Sequence, residues 1–271
     1  MYDTHCHLNF QAFKKDYKIV TQKSLDEGMM LNIVGTQYDT SKRAVEIAQE
    51  FNDKPVYAAV GIHPTHLNKE DSLHKWNYEK YKQLAGDPKV VAIGETGIDR
   101  FRGDETLRVQ KQIFKEHIRL AKELDKPLVI HCRPSDKSTD AYDDLLTILS
   151  NYKLQTTNYK LNGVVHCFIG NWEVAKQLLD IGLFISFTGI ITFKNADTRL
   201  LEAVKKIPLE RVLVETDAPY LTPEPFRGKT RCEPLHVRYV AEKIAEIKKI
   251  PTEVVIKSTA ENGKQLFLNG F

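Results

Sequence analysis

Two histidines stand one residue apart near the start of the chain, in "MYDTHCHLNF", and their spacing suits coordination chemistry. In an extended strand, residues two apart project to the same face with Cα atoms roughly 6.5 to 7 Å apart. His5 and His7 therefore converge, and their imidazoles suit a shared divalent ion. Two ligands do not fill a coordination sphere, since a structural zinc takes about four and a catalytic one about three plus a water. Other segments must supply the rest.

Candidates recur at the ends of short apolar runs. "GIHPTH" carries His63 and His66, "AIGETGID" carries Glu95 and Asp99, and "LVIHCR" carries His131 and Arg133. "VVHCF" carries His166, and "LVETDAP" carries Glu215 and Asp217. Each alone reads equally well as a loop cap or the start of a turn. Together they fall at the C-terminal ends of their runs, whereas unrelated polar residues would scatter over both ends. Asp217 lies nearer the rim and suits a direct ligand or proton acceptor, which leaves Glu215 to support a ligand or contact substrate. Asp99 and His66 suit loop organisation.

The elements that must position these groups follow from the alternation of short apolar runs with amphipathic segments. The runs are Met1–Cys6, Met30–Val34, Val56–Gly61, Val90–Gly94, Leu128–Cys132, Gly163–Cys167, Leu183–Phe187 and Val212–Glu215. Eight runs separated by helical patterns such as "ETLRVQKQIFKEHIRLAKEL" predict an α/β fold, a single (β/α)8 TIM barrel over residues 1–271. In that fold, functional residues gather at the C-terminal ends of the strands. Helical material after Ile250 is expected to close one end, and the polar stretch Asn151–Asn162 to form a loop. A doubly wound sheet would place a Gly-x-Gly-x-x-Gly loop after the first strand, and none is there. Strand alternation turns Cys6, Cys132 and Cys167 away from the barrel axis, as small buried apolar groups rather than ligands.

Composition sets wider bounds. The net charge of +3 permits an anionic substrate without demanding one. The four cysteines include no Cys-x-x-Cys pair, and no apolar run approaches the roughly 18 residues of a membrane helix. A soluble, reduced, cytoplasmic protein with no membrane partner is the expectation.

The motifs "DTHCHL", "GIHP", "IGETGID", "VIHCR", "GVVHCFIGN" and "VETDAPYLTPEPFRGK" resemble, in order, those of the TatD family of metal-dependent hydrolases and nucleases in the amidohydrolase superfamily. The resemblance extends from Tyr2 to "TAENGKQLF" near the C-terminus. It implies that His5, His7, Glu95 and Asp217 hold one divalent ion and that Glu95, His131 and His166 hold a second, with Glu95 bridging. His63 and Arg133 would face the substrate phosphate. The loops depart from the family pattern in "HCRPSDKSTDAYDD", "HCFIGN" and "GIDRF", where substrate would be met.

The expected activity is that of a deoxyribonuclease, an exonuclease that cleaves phosphodiester bonds of DNA through a metal-activated water. Asp217 would be the general base and Glu95 the shared catalytic carboxylate. The loop "PFRGKTR" places Arg227, Lys229 and Arg231 just beyond Asp217, where they could guide phosphate electrostatically. Mixed imidazole and carboxylate ligation suits Zn or Mn, whereas the resemblance implies Mg, so metal identity stays open. Hydrolysis of an ester or amide, such as deacylation of D-aminoacyl-tRNA, is an alternative with the same metal chemistry. A non-catalytic nucleic-acid-binding barrel is a further one, which would be expected to have lost ligands.

Overall fold

A computed structural model describes residues 1–67, 76–136, 138–155 and 162–268. Its strands are β1 (Tyr2–Cys6), β2 (Met30–Val34), β3 (Val56–Val60), β4 (Val90–Asp99), β5 (Leu128–Arg133), β6 (Gly163–Val165), β7 (Phe184–Phe187) and β8 (Val212–Val214). All pair in parallel and in sequence order. The ring closes where β1 meets the end of β8. There His7 N–H donates to Ala218 O at 2.7 Å and Asp217 N–H donates to His5 O at 2.9 Å. This is the barrel expected from the alternation of runs.

Helices α1 (Tyr17–Asp26), α2 (Tyr38–Glu50), α3 (Tyr78–Ala85), α4 (Leu107–Leu124), α5 (Asp140–Gln155), α6 (Trp172–Asp180), α7 (Thr198–Lys206) and α8 (Val237–Lys248) lie on the outside. One apolar cluster joins them to the strands, through residues such as Ile33, Ile47, Phe114, Ile118 and Ile130. A second fills the lumen with Val34, Val91, Val129, Phe184 and Leu213. The last helix, α9 (Thr252–Leu268), adds Leu266 and Phe267 to that lumen, where the Phe267 ring packs edge-on to Tyr2. It plugs the end of the barrel from which β1 begins, so the other end is left for function.

Two strand boundaries differ from expectation by more than one residue. β4 runs five residues past Gly94, and β6 stops at Val165, before His166 and Cys167. The stretch Asn151–Asn162 is also only partly loop. α5 continues through Gln155, with Tyr152 packed on the core and its hydroxyl donating to Lys115 O at 3.3 Å. Residues 156–161 of that stretch lie outside the described residues.

The extension of β4 carries a bulge. Gly94 pairs with Val129 and Thr96 with Ile130, so Glu95 is the extra residue that opposes none. A bulge of this kind re-aims a side chain. The flanking Gly94 and Gly97 adopt φ of +149° and +142°, a region that disfavours L side chains, and a Cβ on Gly97 would lie 2.0 Å from His131 O. "GETG" thus encodes a strand that bends tightly against β5 and turns Glu95 inward.

Candidate metal centre

Glu95 occupies the floor of an open cavity of about 500 Å³ at the C-terminal ends of the strands. Its Oε1 lies 2.9 Å from His166 Nε2, 3.0 Å from His131 Nδ1 and 3.1 Å from His63 Nε2. Its Oε2 lies 3.4 Å from His5 Nε2 and 3.9 Å from His7 Nε2. Asp217 Oδ1 approaches the same two imidazoles, at 3.7 Å from His5 and 3.3 Å from His7. One buried carboxylate therefore touches both ligand groups, with a second carboxylate on one side of it.

Hydrogen bonds on the outer ring nitrogens fix which inner nitrogens carry a lone pair when the rings are neutral. His7 Nδ1–H donates to Val34 O at 2.8 Å, His166 Nδ1–H to Glu215 Oε1 at 3.2 Å, and His131 Nε2–H to Asp99 Oδ2 at 3.0 Å. Each leaves its other nitrogen as an acceptor facing Glu95, the usual orientation of metal-ligating histidines. His63 is the reverse. Its Nδ1 accepts the Thr65 N–H at 3.0 Å, and burial lowers its pKa to about 4, so the neutral ring carries its proton on Nε2. His63 thus presents a donor, although its distance to Glu95 alone would suit a ligand.

The donor set fits a divalent cation. Groups that offer ligand atoms within 4.8 Å of one another include His5, His7 and Glu95; His63, Glu95 and His131 are equally close, but His63 turns its N–H inward. Two Nε2 atoms, of His5 and His7, face each other at 3.2 Å. Burial favours neutral imidazoles, yet the Asp217 carboxylate raises the pKa of His7, and Glu95 and Glu215 raise that of His166 well above its usual value. Burial also works against a charged Glu95, but His63, His166 and His131 hold its carboxyl well below the usual range. The carboxylates thus draw protons onto His7 and His166, which bound cations would displace.

Several supports come from outside the cavity. Asp217 has φ of +56° beyond the end of β8, where its N–H bond to His5 O swings its carboxylate toward β1. Glu215 is wholly buried and does not line the cavity. Its Oε1 accepts from His166 Nδ1 and, at 2.6 Å, from Cys167 N. Of the two expectations for Glu215, its position behind His166 and off the cavity wall is the one that suits support of a ligand. Glu215→Gln is expected to weaken metal affinity about 10- to 100-fold, measured by chelator competition. Unchanged affinity would show that His166 is oriented by its backbone alone.

The expected residues at the mouth divide. Arg133 and His66 line the cavity, as does Arg102, which sequence reasoning missed because nothing but proximity in space marks it. Neither Arg102 nor Arg133 is ion-paired among the described residues. Arg227, Lys229 and Arg231 do not line the cavity. Arg231 is held by Asp16 at 2.7 Å and Glu233 at 2.8 Å, while Arg227 bonds Asn195 and lies over the Phe193 ring. Their sequence distance from Asp217 is short, but the loop leads away from the mouth. Cys6 is buried in the helix-facing core, while Cys132, buried in the same core, also borders the cavity, as does the half-buried Cys167 just past the end of β6. No candidate ligand group among the described residues includes a cysteine.

A further buried histidine, His117 of α4, anchors the "GIHP" loop. Its Nδ1–H donates to Ile113 O at 2.8 Å and its Nε2 accepts the Ile62 N–H at 3.0 Å, next to His63. Burial lowers its pKa from 6.5 to about 4. The unfolded chain therefore binds a proton that the folded chain excludes, and this contribution is intact above pH 6.5 and declines as pH falls toward 4. Between pH 7 and pH 5 the wild type should lose about 2 kcal/mol more stability than His117→Gln, which keeps an acceptor for Ile62. Parallel denaturant curves for the two proteins would count against a neutral buried His117.

Comparison with known proteins agrees with this geometry. The family model "TatD related DNase" matches residues 2–268. "Uncharacterized metal-dependent hydrolase YabD" of Bacillus subtilis is 40% identical over 271 residues, covering 98% of each chain. "Uncharacterized metal-dependent hydrolase YcfH" of Escherichia coli K12 is 38% identical over 269 residues, covering 98% of this chain and 94% of that one. The crystal structure of YJJV, a TatD homologue from E. coli K12, superposes with a TM-score of 0.84 at 28% identity, over 98% of this chain and 97% of that one. Barrel, site and relatives together define a metal-dependent hydrolase. The chain belongs to the TatD family.

Proposed function

We propose that this protein is a cytoplasmic deoxyribonuclease that trims DNA ends, the whole chain working as one catalytic unit. The observation that carries the reading is the Glu95 carboxylate, within 2.9 to 3.9 Å of five imidazoles at the floor of a cavity whose mouth bears Arg102 and Arg133. No helix among the described residues is long and apolar enough to cross a membrane.

His5, His7, Glu95 and Asp217 would hold one divalent ion, and Glu95, His131 and His166 a second. Such ions supply a water of lowered pKa and offset charge on the phosphate. Asp217 lines the cavity with 16% of its side chain exposed, and that access supports its carboxylate as the group that would accept the attacking water's proton. His63 Nε2–H can donate to a phosphate oxygen, with Thr65 holding the ring in that tautomer. Arg133 and Arg102 attract the anionic backbone. The inert-barrel alternative predicts missing ligands, and the complete set is present. No observation favours an ester or amide over a phosphodiester.

The test strips the protein of metal, restores Mg, Mn or Zn, and follows single-stranded DNA labelled at one end. Metal-dependent shortening is expected, and the product ladder gives its direction. A protein that binds the ions yet leaves DNA intact with each of them would end the nuclease reading.

A further inference from the structure

Among the described residues, the exposed large apolar side chains are Ile19, Phe101, Tyr220 and Val254. The two aromatic ones are Tyr220, at the cavity mouth, and Phe101, outside the lining but adjoining Arg102 and Arg133 of that mouth. Tyr220 lines it, 54% exposed, with Phe10 edge-on at 6.5 Å and the Phe10 ring stacked at 4.2 Å on His7. Phe101 is 53% exposed between Asp99 and Arg102, both of which line the cavity, and the Arg133 guanidinium lies 3.7 Å from its ring. One face of Phe101 is thus backed by a cation while much of the ring remains open to water.

Their placement follows from the barrel. Tyr220 follows β8 and Phe101 follows β4, four places apart in a ring of eight. They therefore stand on opposite sides of the mouth, with the Glu95 cluster between and below them. An exposed aromatic ring gains little from water, but a nucleobase stacks on it whatever its sequence. Arg133 can serve the backbone and stiffen the Phe101 platform at once.

We infer that the mouth carries two base-stacking subsites, Tyr220 with Phe10 on one side and Phe101 with Arg133 on the other. They take unpaired bases of the nucleotides that flank the phosphate at the Glu95 cluster. The inference rests on the phosphodiesterase reading and adds to it how substrate is gripped. Bases paired within a duplex are stacked on one another and cannot splay to two opposed platforms, so an unpaired end is the ligand. Phe101 lies within "GIDRF", one of the segments where this chain departs from its family's pattern.

The experiment separates grip from cleavage. Metal-loaded protein is mixed with single-stranded oligonucleotides bearing 2-aminopurine at one of the last three positions, and stacking is read as the fluorescence quenching that precedes any shortening. Shortening of the same oligonucleotides is followed in parallel. Quenching with wild type is expected, with Phe101→Ala and Tyr220→Ala each weakening binding about 5- to 100-fold. Phe101→Tyr and Tyr220→Phe should restore binding. An oligonucleotide with abasic sites at those positions should bind wild type as weakly as the intact one binds the alanine variants. Absence of quenching, or equal affinity for abasic and intact strands, would overturn the subsites whether or not cleavage follows. Normal quenching without cleavage under any ion would instead overturn the nuclease reading and leave the subsites standing.

Discussion

Glu95→Gln is expected to weaken divalent-metal binding about 10²- to 10⁴-fold and to remove turnover with it. The substitution keeps the side-chain volume, so packing is preserved while the charge is lost. Glu95 is buried, and its two oxygens meet His63, His131 and His166 on one side and His5 and His7 on the other. Removing one partner of a buried charge pair costs about 3–5 kcal/mol, and about 1.4 kcal/mol is a factor of ten in affinity. Both ligand groups share this carboxylate, so neither escapes the loss. Bound metal can be counted after dialysis, and the metal-induced rise in melting temperature should disappear in the variant. A variant that retained the bound metal and wild-type turnover would show that Glu95 only organises the imidazoles.

Asp217→Asn should behave differently, with turnover falling about 10²- to 10⁴-fold while metal remains on the far side of the cluster. The ion-pair distances of Asp217 are to His5 and His7, and none within the same reach joins it to His131. Glu95, His131 and His166 therefore keep their mutual contacts in the variant. Asparagine preserves the shape and can still face His7, but it cannot take a proton from water. Loss of turnover with retained metal would support Asp217 as the base. Loss of all metal would make it chiefly a ligand, and full turnover would move the base elsewhere in the cavity.

The amino-acid sequence by itself determined the barrel and the composition of its centre. The apolar runs mark eight strands because a buried parallel strand must be apolar along its length, and that requirement is local. His5, His7, Glu95, His131, His166 and Asp217 were legible as candidates because each lies at or just beyond the C-terminal end of such a run, and strand ends in this architecture point to one rim; the resemblance to the TatD family set them apart from the other polar residues there.

Only the tertiary structure decided how those groups are aimed. Simple alternation over β1 and β4 misses the register shift between Asp3 and Cys6 and the bulge at Glu95, which arise from pairing with β2 and β5. Which nitrogen of each imidazole faces inward depends on partners far along the chain, such as Glu215 for His166 and Val34 for His7. The same holds for charge. Arg231 lies only 14 residues after Asp217 in sequence, yet its guanidinium is held by Asp16, 215 residues away, and does not reach the cavity. Arg102 came to the mouth unannounced, and Phe101 only as part of the departing segment "GIDRF", because a loop's path is set by what it packs against. Periodicity records which residues are buried, whereas the orientation of a side chain at a strand end is fixed by non-local hydrogen bonds that a linear pattern does not carry.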